Sequence, residues 1–480
     1  METPYFSLIV WAHDTDIDMF KDMLESIDEQ DYSASELYIM DENRSLALEM
    51  IIKEFFPDIV DKVHYRRLKN SKGGAYAYNI GSRFAEGNFL VYLGQHDRLS
   101  PRTLTEFAAA IEDTEAEDIV IYTDHDELVG QDRMNPHFKE HYNKELLLHT
   151  HYMGDFICIS KNLYKKCGNF QEKAIHAYIY DYILRCCFKK ATFLHVSALL
   201  YHVRRIEKGP LTKEEKRLKT YAYKEHMALA GKYLRLNGMN VELRPDAMEK
   251  RWNIDYDYSD YRRFSKDYIF LHDDKVKLVT RHNVERLYGY LKQPDVAVVG
   301  VRFMGRLFTY DSLGYVVDKD GFSYPAFHGQ KIYHQTYEDL SMIPRDVTFV
   351  DAGCCLIDAK VYKGLGGFNS ALTGRDAMLD FCMRARQKGY RTIVVPECIA
   401  KYRFREDVSS QASHELLMSL WGDELSKGDP FYNLNLPMGY NNYLLPGEDG
   451  EFIYQPQESE NVENSATDES QTTSSNIVQM

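Results

Sequence analysis

Hydrophobic and polar positions follow two different periods along the first 205 residues of the chain. Short, nearly continuous apolar runs predict buried strands, and between them apolar residues recur every three or four positions, as on one face of a helix. The apolar runs are FSLIVWA (6–12), SELYIMD (35–41), NFLVYL (88–93) and DIVIYTD (118–124). Strands that alternate with amphipathic helices predict an α/β fold with an open, mostly parallel sheet.

Three of the predicted strands lead into an aspartate, namely Asp41, Asp97 and Asp124. In open sheets of this kind, ligands bind beyond the carboxyl ends of the strands. Aspartate is also common in turns, so solvated loop residues are the alternative interpretation. The pattern alone leaves both interpretations open.

The chain also contains an internal repeat. Residues 157–170 (ICISKNLYKKCGNF) match residues 355–368 (CLIDAKVYKGLGGF) without a gap. Each copy is followed by a predicted helix with the spacing Asp-x-x-x-Arg, which starts at Asp181 in the first copy and at Asp380 in the second. The second copy has no counterpart of the first two strands. We therefore expect a complete first unit and a partial second unit.

These patterns divide the chain into four parts: a complete α/β unit at 1–205, a helical linker at 206–260, a partial unit at 261–427 and an irregular acidic tail at 428–480. The tail has no Lys or Arg but nine Asp and Glu residues. Its composition predicts disorder from about residue 455. Asp273 and Asp274 follow a strand of the partial unit and are interpreted as solvated turn residues.

Composition narrows the classes of function. A net charge of −15 argues against nucleic-acid binding, because contacts to phosphates require a basic surface. The eight cysteines show no CxxC spacing, which favours buried thiols over a zinc site or a disulfide framework. The apolar run at 6–12 lacks the basic residues of a secretory signal, and no stretch approaches 18 apolar residues. We expect a cytoplasmic protein, and peripheral attachment at the inner face of the membrane stays open.

Taken together, these motifs resemble the family 2 glycosyltransferases with a GT-A fold, in particular the tandem-domain members that build bacterial surface polysaccharides. The resemblance spans residues 5–205 and, in part, 262–405. Its most specific stretch is NSKGGAYAYNIGSRFAEGNFLVYL, where Gly and Ala follow the family spacing. The resemblance implies a Rossmann-like GT-A domain followed by a partial, degenerate GT-A-like domain. It also implies a nucleotide-sugar donor (UDP-, dTDP- or GDP-linked) and assigns nucleotide binding to Asp14, Asp41, Asn79 and Asp97.

The family ends the strand before Asp97 in a carboxylate motif that holds a divalent cation. This cation bridges the two phosphates of the donor and stabilises the charge on the leaving diphosphate. By this resemblance Asp97 and His202 are the expected ligands of Mn²⁺ or Mg²⁺, with phosphate oxygens completing the shell. Structural alternatives exist for both residues: Asp97 as a cap of the next helix, and His202 as a hydrogen-bonded core residue.

Two departures from the family pattern concern catalysis. Gly94 and His96 stand where the family usually has further acids. The family's general base is expected at Ile179, two residues before Asp181, and isoleucine cannot accept a proton. Asp181 is therefore the remaining, weaker candidate for the catalytic base on that helix.

Asp124 and Asp126, at the end of another strand, are candidates for the acceptor side. The second unit also lacks a base, with Met378 at that position, and it has Tyr402 where His202 is matched.

Two functional hypotheses follow. The first is a metal-dependent, inverting glycosyltransferase that moves a sugar from a nucleoside diphosphate to a glycan, a lipid-linked acceptor or a protein. The second is a catalytically inactive relative that binds or stabilises an active transferase. Neither involves nucleic acid, and both leave open a homo-oligomer or a complex with another glycosyltransferase.

Overall fold

The computed structural model describes residues 3–44, 47–69, 72–205, 211–262, 267–334, 336–402, 409–446 and 452–453. Within these ranges the chain folds into two large sheets that are connected by a long helix and a hairpin. The disorder expected from about residue 455 concerns residues outside the described ranges.

The first unit alternates strands and helices as its pattern predicts. Its strands are β1 (Phe6–Ala12), β2 (Ser35–Asp41), β3 (Val63–Arg67), β4 (Phe89–Leu93), β5 (Arg98–Leu99), β6 (Ile119–Val129), β7 (Asp132–His137), β8 (Ile157–Ser160) and β9 (Thr192–Arg204). Its helices are α1 (Ile17–Asp28), α2 (Ala47–Phe55), α3 (Gly74–Phe84), α4 (Thr103–Glu112), α5 (Lys144–His149), α6 (Lys161–Cys167) and α7 (Tyr178–Phe188).

These strands form one sheet in the order β3-β2-β1-β4-β8-β6-β9-β5, with β7 paired to β6. Strands β3, β2, β1 and β4 are parallel, and so are β6 and β9. Strand β8 runs antiparallel between β4 and β6. The carboxyl ends of β1, β2, β4, β6 and β9 therefore meet along one edge. The predicted α/β class with an open, mostly parallel sheet is confirmed.

Both faces of this sheet are buried, which explains why its central strands are continuous apolar runs. On β1, Leu8 and Val10 pack with residues of α1, α2 and α4, whereas Ile9 packs with α3 on the other face. Gly81 on α3 allows close packing, because a Cβ there would lie 2.5 Å from Cγ2 of Ile9. The sequence of α3 thus holds that helix directly against the strand that leads to the site.

A long helix and a hairpin connect the units: α8 (Lys213–Leu236), β10 (Val241–Pro245) and β11 (Trp252–Tyr256). The strands of the second unit are β12 (Tyr268–His272), β13 (Val276–Leu278), β14 (Val296–Met304), β15 (Tyr310–Ser312), β16 (Tyr315–Val317), β17 (Ser323–Pro325), β18 (Arg345–Asp346), β19 (Cys354–Asp358) and β20 (Arg391–Tyr402). Its helices are α9 (Asn283–Leu291), α10 (Ala359–Gly364), α11 (Gly374–Gln387) and α12 (Gln411–Leu425), and a short hairpin of β21 (Leu445–Pro446) and β22 (Phe452–Ile453) follows. No helix among the described residues is both long and apolar enough to cross a bilayer.

The second sheet repeats one half of the first. Its order is β12-β19-β14-β20-β13, with β19 antiparallel to both neighbours and β14 parallel to β20. The same directions occur in the order β4-β8-β6-β9-β5 of the first sheet. Among the described residues, nothing corresponds to β1, β2 and β3. The residue limits of the four parts stay predictions, but the partial repeat is visible in the strand order.

A buried polar network joins the two units. Arg391 on β20 donates to Asp346 at 2.8 Å, to both oxygens of Asp295 at 3.0 Å and to Glu145 of the first unit at 3.3 Å. The side-chain amide of Asn143 in the first unit donates to the carbonyl of Asp346 and accepts from its backbone N–H, both at 2.9 Å. Burial alone would raise the pKa of Glu145, but its contacts with His149 and Arg391 lower it to about 2. Glu145 is therefore charged and paired.

The segment after α12 is irregular, as expected, but it is packed into the molecule. Tyr432, Asn433 and Asn442 are fully buried. Asp429 accepts from the backbone of Val317 at 2.9 Å in the second unit, and Asn433 donates to a carboxylate on β6 of the first unit. Residues 429–443, named here the bridging segment, thus contact both units.

Candidate active site

The loops that follow β1 and β4 are joined by one glutamine. The Gln95 amide donates to the carbonyl of His13 at 2.6 Å and accepts from the His13 backbone N–H at 3.1 Å. Its oxygen also accepts from the Thr15 hydroxyl at 2.5 Å. Because Gln95 is buried, these bonds fix the distance between the two loops at the edge of the sheet.

The loops after β1 and β2 are joined in a similar way. Thr15 and Asn43 exchange hydrogen bonds of 2.8 and 3.1 Å. The indole of Trp11 donates to Glu42 at 3.0 Å, and its ring stacks on His13 at 3.6 Å between centroids. The edge therefore presents a flat aromatic surface beside fixed polar loops, an arrangement suited to a planar polar ligand.

Asp14 and Asp41, which are both predicted to bind the nucleotide at this end of the edge, have different surroundings in the structure. Asp14 is exposed, in a left-handed backbone conformation with φ of 43°. Asp41 is fully buried and accepts two hydrogen bonds from Asn43, at 2.7 and 2.8 Å, and one from the Tyr65 hydroxyl. Asp14 is accessible to a nucleotide, whereas in this structure Asp41 shapes the loop. Nucleotide contact by either residue stays a prediction.

Asn79 has a structural role that its sequence motif did not reveal. Its amide donates to the carbonyl of Phe170 at 3.0 Å and accepts from the N–H of the same residue at 2.7 Å. Both polar groups of this buried side chain are thereby engaged. Asn79 holds the turn after α6 against α3, and the geometry does not support the predicted contact with a nucleotide.

Asp97 lies at the edge between β4 and β9. Its carboxylate accepts from the hydroxyl of Tyr201 and from the backbone N–H of Arg204 at 2.8 Å. A Cβ at Gly94 would collide with Oδ2 of Asp97, so this site requires glycine where the family usually has an acid. Burial raises the pKa of Asp97. The side chain of Asp97 does not cap α4, because both of its carboxylate oxygens accept hydrogen bonds from residues of β9.

His202 is held by a second carboxylate. Nδ1 of His202 lies 2.6 Å from Asp126, which also accepts from Arg133 at 2.7 Å. A histidine that donates Nδ1–H to a carboxylate keeps Nε2 available as a ligand, a common arrangement in metal sites. Within the described ranges, no cluster of three or more His, Cys, Asp or Glu residues is placed to hold a metal by itself. The oxygen of Asp97 and Nε2 of His202 are donor types that fit Mn²⁺.

The two acceptor-side candidates are not accessible. Asp124 is fully buried and accepts from His195 at 2.8 Å, from the Lys139 backbone at 2.8 Å and from Asn433 of the bridging segment at 3.0 Å. Asp126 is also buried and engaged by His202. The geometry gives Asp124 a role in joining the units and Asp126 a role in orienting His202, and it does not support direct contact with an acceptor.

Asp181 takes part in a buried set of contacts that occurs in both units of the repeat. It is fully buried, accepts from Arg185 at 3.0 Å and accepts from Tyr233 of α8 at 2.8 Å. Asp380 of the second unit is arranged in the same way, with Arg384 at 2.9 Å and the indole of Trp421 on α12 at 3.0 Å. Each aspartate anchors the helix that follows its unit. A catalytic role for Asp181 has no support from this geometry.

The sequence reasoning missed Asp155. The register pairs Tyr92 of β4 with Ile157 of β8 antiparallel, and extending it by two residues places Asp155 opposite Gly94, three residues before Asp97. Phe156 stacks on Tyr201, the residue that donates to Asp97, at 4.1 Å. The Asp155 side chain is 81% exposed, and His151 lies 3.0 Å from it. Asp155 is thus an accessible carboxylate at the centre of the edge.

The charge of Asp155 contributes to the pKa shifts of neighbouring groups. Burial, and after it Asp155, raises the pKa of Tyr178. Asp155 also contributes to the raised pKa of Asp97, after burial. Desolvation would raise the pKa of Asp155 itself, but the hydrogen bond and charge of His151, together with the charges of His226 and Lys139, outweigh it and lower that pKa. The sequence contains one signal for this residue. The internal repeat aligns Asp155 with Gly353, so the complete first unit has a carboxylate that the partial second unit lacks.

Comparison with known proteins gives matches to part of the chain and to part of its relatives. A sequence model described as glycosyl transferase family 2 matches residues 7–168. The O-antigen biosynthesis protein RfbC of Myxococcus xanthus is 21% identical over 91% of this chain and 40% of its own length. The uncharacterized protein y4gI of Sinorhizobium fredii is 22% identical over 92% of this chain and 58% of its own length. The chain therefore spans only about two to three fifths of these relatives.

Solved structures of glycosyltransferases show weaker overall similarity. TarS 1–349 of S. aureus in complex with UDP-GlcNAc superimposes with a TM-score of 0.36 and 18% identity, covering 48% of this chain and 70% of that chain. The mannosyltransferase PcManGT of Pyrobaculum calidifontis, in complex with GDP-Man and Mn²⁺, has a TM-score of 0.34 and 13% identity, covering 49% and 75%. The family match covers the strands that form the candidate site from β1 to β8. The match to glycosyl transferase family 2 is thus a match of residues 7–168, and it leaves β9 with His202 outside.

Proposed function

We propose that the chain transfers a sugar from a nucleoside diphosphate to an acceptor hydroxyl at the edge of its first sheet. The observation that carries this proposal is the pair of carboxylates on that edge: Asp97, half-buried between β4 and β9, and Asp155, exposed opposite Gly94. The donor is expected to be UDP-, dTDP- or GDP-linked. The relative named for O-antigen biosynthesis supports a glycan or lipid-linked acceptor, with a protein acceptor as the remaining option.

On the donor side, Asp97 and His202 would hold Mn²⁺ or Mg²⁺. Such a cation supplies positive charge that stabilises the leaving diphosphate. Asp126 keeps His202 in the required tautomer, and Gly94 leaves room for the carboxylate of Asp97. The stacked ring of Trp11 and the exposed Asp14 lie where a nucleoside would be placed by the resemblance.

On the acceptor side, Asp155 is proposed as the general base. It would replace the base that the family has at the position of Ile179 in this chain. In a single inverting displacement, the acceptor oxygen bonds to the anomeric carbon while the bond from that carbon to the diphosphate oxygen breaks. The acceptor proton passes to the carboxylate of Asp155. Asp155 is ionised at neutral pH, which is the form that accepts a proton, and its lowered pKa makes it a weaker base than an ordinary aspartate.

A second candidate function is that of an inactive partner of another transferase. It is favoured by Ile179, which is buried in the core at the usual base position, and by the missing half of the second unit. In that case the edge would bind a nucleotide weakly or not at all, and the bridging between units would serve assembly. A cytoplasmic location, peripheral at the membrane, is compatible with both functions.

Calorimetry with UDP, GDP, dTDP and CMP, each with and without Mn²⁺, tests the proposal. We expect Mn²⁺-dependent binding of one nucleotide, loss of that binding in Asp97→Ala and retention in Asp274→Ala. Asp274 is a matched control, since it is an exposed aspartate after the corresponding strand of the second unit. Absence of binding by the wild-type chain would favour the inactive partner. Equal binding by the Asp97 variant would remove Asp97 from the site.

A further inference from the structure

One face of α8 carries positive charge that the proposed chemistry does not use. Between residues 213 and 224, five cations stand against two carboxylates, in a chain of net charge −15. Positions three and four apart lie on the same side of a helix. By this spacing the cations of one face are Lys213, Lys216, Arg217 and Lys224, named here the basic stripe. All four are exposed.

The basic stripe borders a shallow surface depression. Lys216, Arg217 and Lys224 line it together with Thr220 and Tyr221, and its volume is about 380 Å³. Glu214 lies 3.8 Å from Arg217, but two carboxylates on this part of the helix do not balance five cations. Glu249 also accepts from Thr220 at 2.9 Å, and Glu225 follows Lys224. Five cations therefore stand against four carboxylates, and the surface keeps a small net positive charge on an acidic protein.

Exposed apolar side chains lie beside the basic stripe. Leu218 is 43% exposed and Tyr221, one turn later, is 52% exposed. Ile175 is 70% exposed, and it reaches the same side of α8 because its backbone N–H donates to Glu225 at 3.1 Å. Single exposed apolar residues are ordinary, whereas a row of them next to a basic stripe is typical of interfacial helices.

This surface adjoins the candidate active site. The segment that contains Ile175 continues into α7, whose first residue is Tyr178. A Cβ at Gly74 would collide with the Tyr178 hydroxyl and would lie 2.7 Å from the Trp11 ring. Only two residues thus separate the exposed Ile175 from Tyr178 at the edge of the first sheet.

We propose that the basic stripe, with Leu218, Tyr221 and Ile175, is a docking surface for an anionic lipid bilayer. The cations match negatively charged headgroups, and the apolar side chains match the boundary between headgroups and acyl chains. Docking in this orientation brings the edge of the first sheet close to acceptors that are held in the membrane. The inference deepens the proposed function, but vesicle binding requires no turnover and is measured independently of it.

The experiment is sedimentation of the full chain with vesicles of phosphatidylcholine alone and with vesicles that also contain phosphatidylglycerol. A triple variant, Lys216→Ala, Arg217→Ala and Lys224→Ala, removes three charges from the basic stripe. A matched control variant removes the same charge from exposed lysines of the second unit: Lys319→Ala, Lys360→Ala and Lys388→Ala. A third variant, Ile175→Ser with Tyr221→Ser, keeps all charges. Thermal unfolding followed by circular dichroism verifies that each variant is folded.

We expect salt-sensitive binding of the wild type and of the control variant to anionic vesicles only. Loss of three cations should weaken that binding on the order of 100-fold, from a contribution of about fivefold per cation near an anionic surface. The serine variant should bind more weakly as well, with unchanged salt dependence. Equal binding by the triple and control variants would overturn the proposal. So would failure of the wild type to bind anionic vesicles, which would leave the basic stripe to an acidic protein partner.

Discussion

Replacing Asp155 by asparagine tests the acceptor side of the proposed reaction. The substitution preserves the shape of the side chain and its ability to accept a hydrogen bond from His151, but it removes the group that takes the proton. General-base catalysis contributes roughly 100- to 10,000-fold in rate, or about 3–5 kcal/mol of barrier. We expect kcat to fall by this factor. Because the side chain is 81% exposed, stability should be unchanged.

The assay measures release of the nucleoside diphosphate and formation of the glycoside with the donor identified by calorimetry. Donor affinity in Asp155→Asn should equal that of the wild type, since Asp155 is assigned to the acceptor. Asp274→Asn is the control, because it neutralises an exposed aspartate at the same edge of the second sheet. A kcat within about threefold of the wild type would refute the reasoning. Loss of donor binding would also refute it, since Asp155 would then belong to the donor side.

Three further predictions concern stability. Arg391→Met leaves buried carboxylates unpaired between the units and should lower the free energy of unfolding by about 3–5 kcal/mol in urea titration; an unchanged midpoint would show that the network contributes nothing. Asn433→Ala removes a donor from buried Asp124 and should lower the free energy of unfolding by about 1–3 kcal/mol. Asn435→Ala should lower it less, because Asn435, which also donates to Asp124, is exposed. Burial raises the pKa of Glu140 from 4.5 to about 7. The folded chain therefore holds this proton more tightly than the unfolded chain, and stability should fall as pH rises between those values. Glu140→Gln should abolish that part of the slope in unfolding measured across the interval.

Much of the fold was accessible from the sequence because its signals are local. The strands β1, β2 and β4 are buried on both faces, so each is an apolar run that ends where its polar loop begins. The partial second unit was predictable because the repeat preserves its spacing through β8 and α6 and through β19 and α10. Helix α3 was predictable from its glycines, of which Gly81 contacts β1 closely.

The functions of individual polar residues were not accessible in the same way. Asn79 and Asp181 sit in recognisable motifs, but their partners are Phe170 and Tyr233, and only the folded chain shows that those contacts leave no group for a ligand. Asp155 depends on the register of β8 against β4. A shift of one residue would turn its side chain to the opposite face. Local patterns do not encode that register.

The bridging segment has a consequence for how the protein is synthesised. Asn433 follows Asp124 by 309 positions, so translation completes the whole second unit before this donor emerges from the ribosome. Until then, Asp124 is a buried carboxylate that lacks part of its hydrogen bonding, on the same strand as the aspartate that orients His202. We therefore expect this part of the edge to reach its final arrangement only after both units have been synthesised.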